Sequence, residues 1–285
     1  TREHNEMIFG MQCYFSKLVE YSFYTNGLCE SQYGFRQKRS TTNAVSDLYM
    51  NITNGLLKKE CLLANFIDFS KASDTINHTV LFRKLPWYGI RGCALDWIKS
   101  YLNNRSMLVS SQGCLSYEVQ LSQYGVPQGS VLGPLLFTIY ANDLSKCLRH
   151  SKSIFYADDT SLFLTDNTVS ELTQKMNSDL QQVFKWCNTN SLSVNVIKTK
   201  CMLFGKNSGP HPDGNSTCVL ANQPIGRVTT FKFLGITLDE RLTWKPHTEA
   251  LSSKISSGLY ALRRVRDLVS RKGMLSLHMR WSTPT

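Results

Sequence analysis

Three aspartates stand where a charged side chain is hard to keep ionised. Asp68 lies in Phe66-Ile-Asp68-Phe-Ser-Lys-Ala, and Asp158 and Asp159 lie in Tyr156-Ala-Asp158-Asp159. Their neighbours Ile67, Phe69, Phe155, Tyr156, Leu162 and Phe163 are apolar and favour strands, which puts the acids at the edge of a buried sheet. An unpaired carboxylate there is costly to ionise and tends to hold its proton. Three of them converging on one point are better explained by a divalent cation than by chance. Hard oxygen ligands favour Mg²⁺, which usually keeps water and substrate phosphates in its coordination shell. Two such ions about 3.5–4 Å apart make a centre for in-line phosphoryl transfer.

Elements able to position such acids follow from the order of apolar residues. Residues 12–30 have helical spacing, Gly34 to Ser40 is a basic turn holding Arg36, Lys38 and Arg39, and Thr41 to Lys58 is again helical. Leu62 to Phe69 is the first acid-bearing strand. Thr79 to Asn103 is mostly helical, broken near Gly89–Gly92. Val109–Ser111 and Tyr117–Leu121 form a hairpin around Gly113, and Ser130 to Leu148 a helix with Pro134 in its first turn, where proline is tolerated. Apolar residues flank Asp158-Asp159 on both sides, so Ser153 to Thr165 is expected to be a hairpin with the acids in its turn. Val169 to Thr189 is an amphipathic helix, with Leu180, Phe184 and Trp186 as core residues. Leu192–Phe204 is a strand, Lys206 to Cys218 a loop, Thr229–Leu238 a hairpin and His247 to Ser270 a helix. Asp74 and His78 are expected to cap the helix opening near Thr79.

Bulk composition narrows the partners. The 285 residues, 42% hydrophobic and 11% aromatic, are those of a globular protein with a sizeable core. Lysine and arginine number 32 against 21 acids, a formal charge of +11 that points to polyanions, nucleic acid first. Nine cysteines without a Cys-x-x-Cys pair and six dispersed histidines argue against a zinc module or a disulfide framework, and for a reducing intracellular compartment. The longest apolar run, Val131 to Tyr140, is too short to cross a bilayer, and no basic-then-apolar leader opens the chain, so no membrane partner is expected. A start at Thr1 and an end in Trp-Ser-Thr-Pro-Thr suggest a fragment.

Six stretches, in order, resemble the motifs of reverse transcriptases from non-LTR (LINE-type) retrotransposons. They are Ser31-Gln-Tyr-Gly-Phe-Arg36 with Arg39-Ser-Thr-Thr; Phe66-Ile-Asp68 through His78; Gly125-Val-Pro-Gln128-Gly129 through Phe137; Tyr156-Ala-Asp158-Asp159; Leu192-Ser-Val-Asn195-Val-Ile-Lys198-Thr199-Lys200; and Phe233-Leu-Gly-Ile-Thr-Leu-Asp239 followed by Leu242 to His247. The resemblance implies an α+β right-hand polymerase. Residues 1–60 would be partial fingers, 61–240 a palm with a central antiparallel sheet and interleaved fingers elements, and 241–285 the start of a thumb. It implies Asp68 and Asp158 as bridging ligands of two Mg²⁺ (Mn²⁺ as substitute), Asp159 beside them, and the Phe69 carbonyl as an extra ligand. Gln128 and Gly129 would lie over the incoming nucleotide, with Ser73 beneath its sugar and Arg36 nearby. Lys198 would assist the leaving group, and Leu234-Gly235 would grip the primer. Partners would be an RNA template, a DNA primer and dNTPs, in the nucleus or a cytoplasmic ribonucleoprotein, with any endonuclease outside these residues.

Two positions depart from the family pattern. An aromatic residue usually stands where Ser73 is, and an arginine where Met7 falls. A decayed, nucleic-acid-binding remnant shares every motif. A palm-fold nucleotide cyclase shares the acids but has no use for Gly125–Phe137 or the basic turn, and an intron maturase would carry an extension that is not present here.

Overall fold

The computed structural model describes residues 27–103, 105–120, 124–205 and 217–265. The expected helix at 12–30, the position of Met7 and most of the 206–218 loop therefore lie largely outside the described residues, and residues 27–30 are turn and coil. The chain divides into two compact units, Thr1–Val228 and Thr229–Thr285.

In the first unit, helix α1 (Thr41–Leu57) begins at Ser40, whose hydroxyl accepts from the Asn43 amide, and buries Ala44, Val45, Leu48 and Ile52 along one stripe. Strand β1 (Cys61–Ile67) is buried at every position, as a strand covered on both faces must be. Helices α2 (His78–Lys84) and α3 (Cys93–Leu102) follow, separated by a 3₁₀ turn at Leu85–Tyr88. Next comes a small ribbon, β2 (Ser106–Met107), β3 (Ser110–Ser111), β4 (Cys114–Leu115) and β5 (Val119–Gln120). It turns at Gly113 as expected, but β3 pairs with β4 and β2 with β5, leaving Tyr117 outside the ladder and 94% exposed. Helix α4 (Leu132–Ala141) is shorter than expected. The chain tightens to 3₁₀ at Asn142–Cys147, where the Asn142 side chain turns to bond the Cys29 amide and the Tyr88 hydroxyl.

Strands β6 (Lys152–Tyr156) and β7 (Asp159–Asp166) form the acid-bearing hairpin, and α5 (Val169–Thr189) starts at a Thr168 cap. Strand β8 (Lys200–Phe204) is only the end of the expected Leu192–Phe204 strand, because residues 195–199 coil into a turn clasped around Asp68. Strands β9 (Val219–Leu220) and β10 (Gln223–Pro224) form a hairpin, and β11 (Gly226–Arg227) closes the unit. The central sheet runs β11-β8-β1-β7-β6, antiparallel except for the parallel β11–β8 edge. Cys61, Leu63 and Ile67 join the main core with α4 and α5, whereas Leu62, Ala64 and Phe66 are buried on the α1 side.

Two polar nodes lock the helices, one to this sheet and one to each other. Asp179 of α5, fully buried, accepts from the amides of Arg149, His150 and Ser151 and so fixes the start of β6. Lys84 donates to the Tyr140 carbonyl at 2.6 Å and to Asp143 at 2.7 Å, and Trp186 donates to the same carboxylate. Of the expected core residues of α5, Leu180 is fully buried, while Phe184 and Trp186 are partly buried against the core. Burial pulls the Lys84 ammonium below its usual range, and Asp143 opposes that pull.

In the second unit, β12 (Thr230–Phe233) pairs antiparallel with β13 (Ile236–Asp239), and helix α6 spans Lys245–Val265. Asp239 accepts from the amides of Thr243 and Trp244, joining the hairpin to the helix. The hairpin and the helix belong to the same compact unit, which begins at Thr229.

Candidate active site

Register brings the acids together. The β1–β7 ladder ends at the pair Ile67–Thr160, so the next residues of the two strands are Asp68 and Asp159. Alternation puts both on the face shared by Phe66 and Ser161. Asp159 also closes the β6–β7 hairpin opposite Tyr156, leaving Ala157-Asp158 as a two-residue turn. Ala157 takes a φ of 56°, the sign such tight turns require at their first central residue.

Asp159 is open to solvent by surface area, yet protein crowds it enough to matter. Its carboxyl is held above its ordinary value of 3.8, first by desolvation, then by the charges of Asp158 and Asp68. The three acids therefore share one electrostatic neighbourhood. Among the described residues no three His, Cys, Asp or Glu side chains are already gathered into a metal cage. The trio is coupled but open.

The backbone of Asp68 is held on its other edge by residues to which the sequence motif assigned no role. The Asp68 amide donates to the Thr199 hydroxyl at 3.2 Å, and the Asn195 amide donates to the Asp68 carbonyl at 2.8 Å. Asn195 and Thr199 are themselves tied, since the Thr199 hydroxyl donates to the Asn195 carbonyl. Ser70 donates to the Ser193 carbonyl, so the Phe69–Val194 bridge uses the groups flanking Phe69. Antiparallel geometry then turns the Phe69 carbonyl toward the β7 side, where the Asp158 turn lies. Three carboxylates and the Phe69 carbonyl are an all-oxygen donor set, and a hard cation would offset both the desolvation of Asp159 and the repulsion from its two neighbours. The chemistry of the residues present suits a hard divalent cation.

A second loop lies against the turn after β1. The Gly125 amide donates to the Ile76 carbonyl, and the Val126 amide to that of Ser73, both at 2.8 Å. Gly125 has a φ of 83°, and a Cβ there would meet the Asp74 carbonyl oxygen at 2.8 Å, so only glycine allows this approach. Gln128, exposed, donates from Nε2 to Asp74 at 2.9 Å, and Gly129 follows with a φ of 75° just before α4. The expected helix caps are corrected here. Asn77, not Asp74 or His78, accepts from the Val80 amide and starts α2. Asp74 is taken by Gln128. His78 is buried and donates from Nε2 to the Gly125 carbonyl at 2.7 Å, which leaves Nδ1 buried without a partner.

The remaining candidates sit farther from the acids' contacts. Arg36 donates to the Cys29 carbonyl at 3.0 Å and pairs with Glu30, which the Arg36 charge holds below the usual carboxylate range. Lys198 is exposed on the turn that clasps Asp68, its amide bonded to the Asn195 side chain. Leu234 and Gly235 form the β12–β13 turn of the second unit, with φ of 46° and 91°.

Comparisons with known proteins agree with this architecture. The chain is 33% identical over 267 residues to a probable RNA-directed DNA polymerase from transposon BS of Drosophila melanogaster, covering 88% of this chain and 28% of that protein. It is 26% identical over 260 residues to the RNA-directed DNA polymerase from mobile element jockey of the same species, covering 89% of this chain and 27% of the relative. The chain thus spans a little over a quarter of the length of these relatives. Apo telomerase from Candida tropicalis matches with a TM-score of 0.56 at 14% identity, over 83% of this chain and 40% of the other, and so shares the fold. A telomerase from Candida albicans solved with a fragment of telomeric RNA gives a TM-score of 0.55 at 13% identity, over 79% and 37%. Residues 11–238 match the family described as reverse transcriptase (RNA-dependent DNA polymerase), and with its non-LTR retrotransposon relatives this α+β right-hand polymerase chain belongs to that family.

Proposed function

We propose that this chain is the polymerase core of a non-LTR retrotransposon enzyme, one that extends a DNA primer with deoxynucleotides on an RNA template. The observation that carries the reading is the register that sets Asp68 opposite Asp159, with Asp158 in the adjoining turn, on two strands distant in sequence. Asp68, Asp158 and Asp159, with the Phe69 carbonyl, would hold two Mg²⁺ ions. When bound, the ions lower the pKa of the primer 3′-hydroxyl and neutralise charge on the triphosphate. An open trio suits that task, since Mg²⁺ takes substrate phosphates and water as remaining ligands rather than an all-protein cage.

The chain's own residues supply the positioning. Gln128, steadied by Asp74, lies at the opening of α4 beside the nucleotide, and Gly129 keeps the backbone there free of a side chain. Ser73, its carbonyl held by Val126, leaves room beneath the sugar. Arg36 shapes the basic turn through Glu30, Lys198 offers a proton or charge to departing pyrophosphate, and Leu234-Gly235 approaches the primer. Template RNA, primer and dNTPs are the partners. The work belongs in the nucleus or a cytoplasmic ribonucleoprotein, and target nicking is left to an endonuclease elsewhere.

The test is primer extension on an RNA template with Asp158→Asn. Synthesis is expected to vanish while template–primer affinity stays within about twofold. Continued extension by the variant overturns the metal assignment, and an unsubstituted chain that binds but never extends identifies a decayed copy.

A further inference from the structure

The turn bearing Asp158 is backed by a segment more than a hundred residues upstream. Ser31 to Gly34 runs beside β6: the Phe155 amide donates to the Ser31 carbonyl at 2.8 Å, and the Tyr33 amide to the Phe155 carbonyl at 2.7 Å, around a parallel bridge between Gln32 and Phe155. Gln32 is 2% exposed, and its Oε1 accepts from the Gly34 amide at 2.8 Å. That bond sets Gly34 directly against the peptide joining Tyr156 to Ala157. A Cβ on residue 34 would lie 2.5 Å from the Ala157 nitrogen and 3.1 Å from the Tyr156 carbonyl carbon. The φ of Gly34 is not in the left-handed region, so glycine is needed for space and not for backbone freedom. The obstacle is backbone, which has no rotamer to yield. Ordinary contact begins at 3.4 Å, so going from 2.5 to 3.4 Å requires a shift of about 0.9 Å by the turn or by the segment against it.

We propose that Gly34 is a positioning residue for nucleotidyl transfer, setting, by the side chain it lacks, where Asp158 stands relative to Asp68. The proposal rests on the assignment of Asp158 as a metal ligand. Catalytic groups tolerate little displacement, and an error near 1 Å costs about 10²-fold in rate. Gln32 completes the device by fixing the Gly34 amide. Arg36, the first cation of the basic turn, follows two residues on.

The experiment compares Gly34→Ala, Gly55→Ala and Asp158→Asn in the full chain. Gly55 lies in α1, and a Cβ there meets the Thr165 methyl at 2.9 Å, crowding β7 at the end away from the acids. For Gly34→Ala, kcat is expected to fall about 100-fold with KM for dNTP and affinity for template–primer unchanged. Binding of Mn²⁺ alone, followed by electron paramagnetic resonance without nucleotide, is expected to weaken. Gly55→Ala should keep its kcat and its Mn²⁺ affinity. A folded Gly34→Ala with undiminished kcat, or an equal loss in Gly55→Ala, overturns the proposal. An inactive Asp158→Asn beside a fully active Gly34→Ala removes only the positioning role, whereas an active Asp158→Asn removes the metal assignment beneath it. If Gly34→Ala does not fold, Gln32→Met takes its place, keeping the volume but deleting the acceptor for the Gly34 amide. Its kcat is expected to fall at constant KM, and an unchanged kcat in the folded variant overturns the proposal.

Discussion

Ser73 is the residue at which this chain's chemistry should differ most from its relatives' pattern. Its carbonyl is bonded by Val126 and its neighbour Asp74 holds Gln128, so the position lies between the acid strand and the Gly125–Gly129 loop. A serine side chain offers no bulk to oppose a ribose 2′-hydroxyl, and discrimination by exclusion needs such bulk. Ser73→Phe is therefore expected to increase selection for dNTP over rNTP by about tenfold or more, read as the ratio of kcat/KM values for matched nucleotides. Equal ribonucleotide incorporation by the two proteins would remove Ser73 from the sugar site. His78 shows a different use of a polar residue. Its donation to Gly125 shapes the same loop from beneath, and a buried Nδ1 without a partner is tolerated to keep that bond.

Among the elements, the hairpin–helix joint of the second unit makes a pH-dependent prediction. Burial of Asp239 raises its pKa, but the amides of Thr243 and Trp244 more than offset this and hold it below its ordinary 3.8. A carboxyl depressed in the folded state contributes stability that is full above 3.8 and is lost as pH falls through the folded value. Asp239→Asn should thus destabilise the protein by about 1.5–3 kcal/mol near neutrality, and the gap in melting temperature should close as pH drops below 3.8. A gap independent of pH would contradict the assigned role. Elements of this kind were only partly readable beforehand. The acid hairpin, α1 and α5 announced themselves because apolar alternation or helical spacing continued over many residues. The strand expected from Leu192 was cut to Lys200–Phe204 because the Asn195 amide donates to the Asp68 carbonyl and the Thr199 hydroxyl accepts from the Asp68 amide, a partner about 130 residues away. The cap at Asn77 was missed for a similar reason. Asp74 is as good a capping type as Asn77 by composition, and its bond to Gln128 diverts it, whereas His78 lies inside the helix and bonds Gly125. The strands that bear the three acids were legible from local pattern, whereas the groups packed against those segments, Gly34 and Thr199 among them, depend on contacts that no window of neighbouring residues contains.

On the scale of the whole molecule, charge is unevenly shared. The second unit, residues 229–285, holds ten lysines and arginines against four acids, so about +6 of the net +11 resides in one fifth of the chain. An excess so concentrated draws in a phosphate backbone without regard to base sequence, and each neutralised phosphate releases counterions. Affinity for an RNA–DNA template–primer should accordingly fall linearly in log–log form with salt. For about six to ten phosphate contacts, the loss between 50 and 200 mM is about 10³–10⁵-fold. Lys254 and Arg263 are exposed on α6, well placed to make such contacts. Replacing both with glutamine should reduce the slope by about 2, one contact each, with an equal effect on unrelated template sequences. Asp158→Asn should leave the slope as it was, since it acts on chemistry and not on the charged surface. A slope indifferent to Lys254 and Arg263 would move the nucleic-acid track off α6 and onto the basic turn of the first unit, where Arg39 is already committed to Glu30 and only Lys38 remains fully exposed.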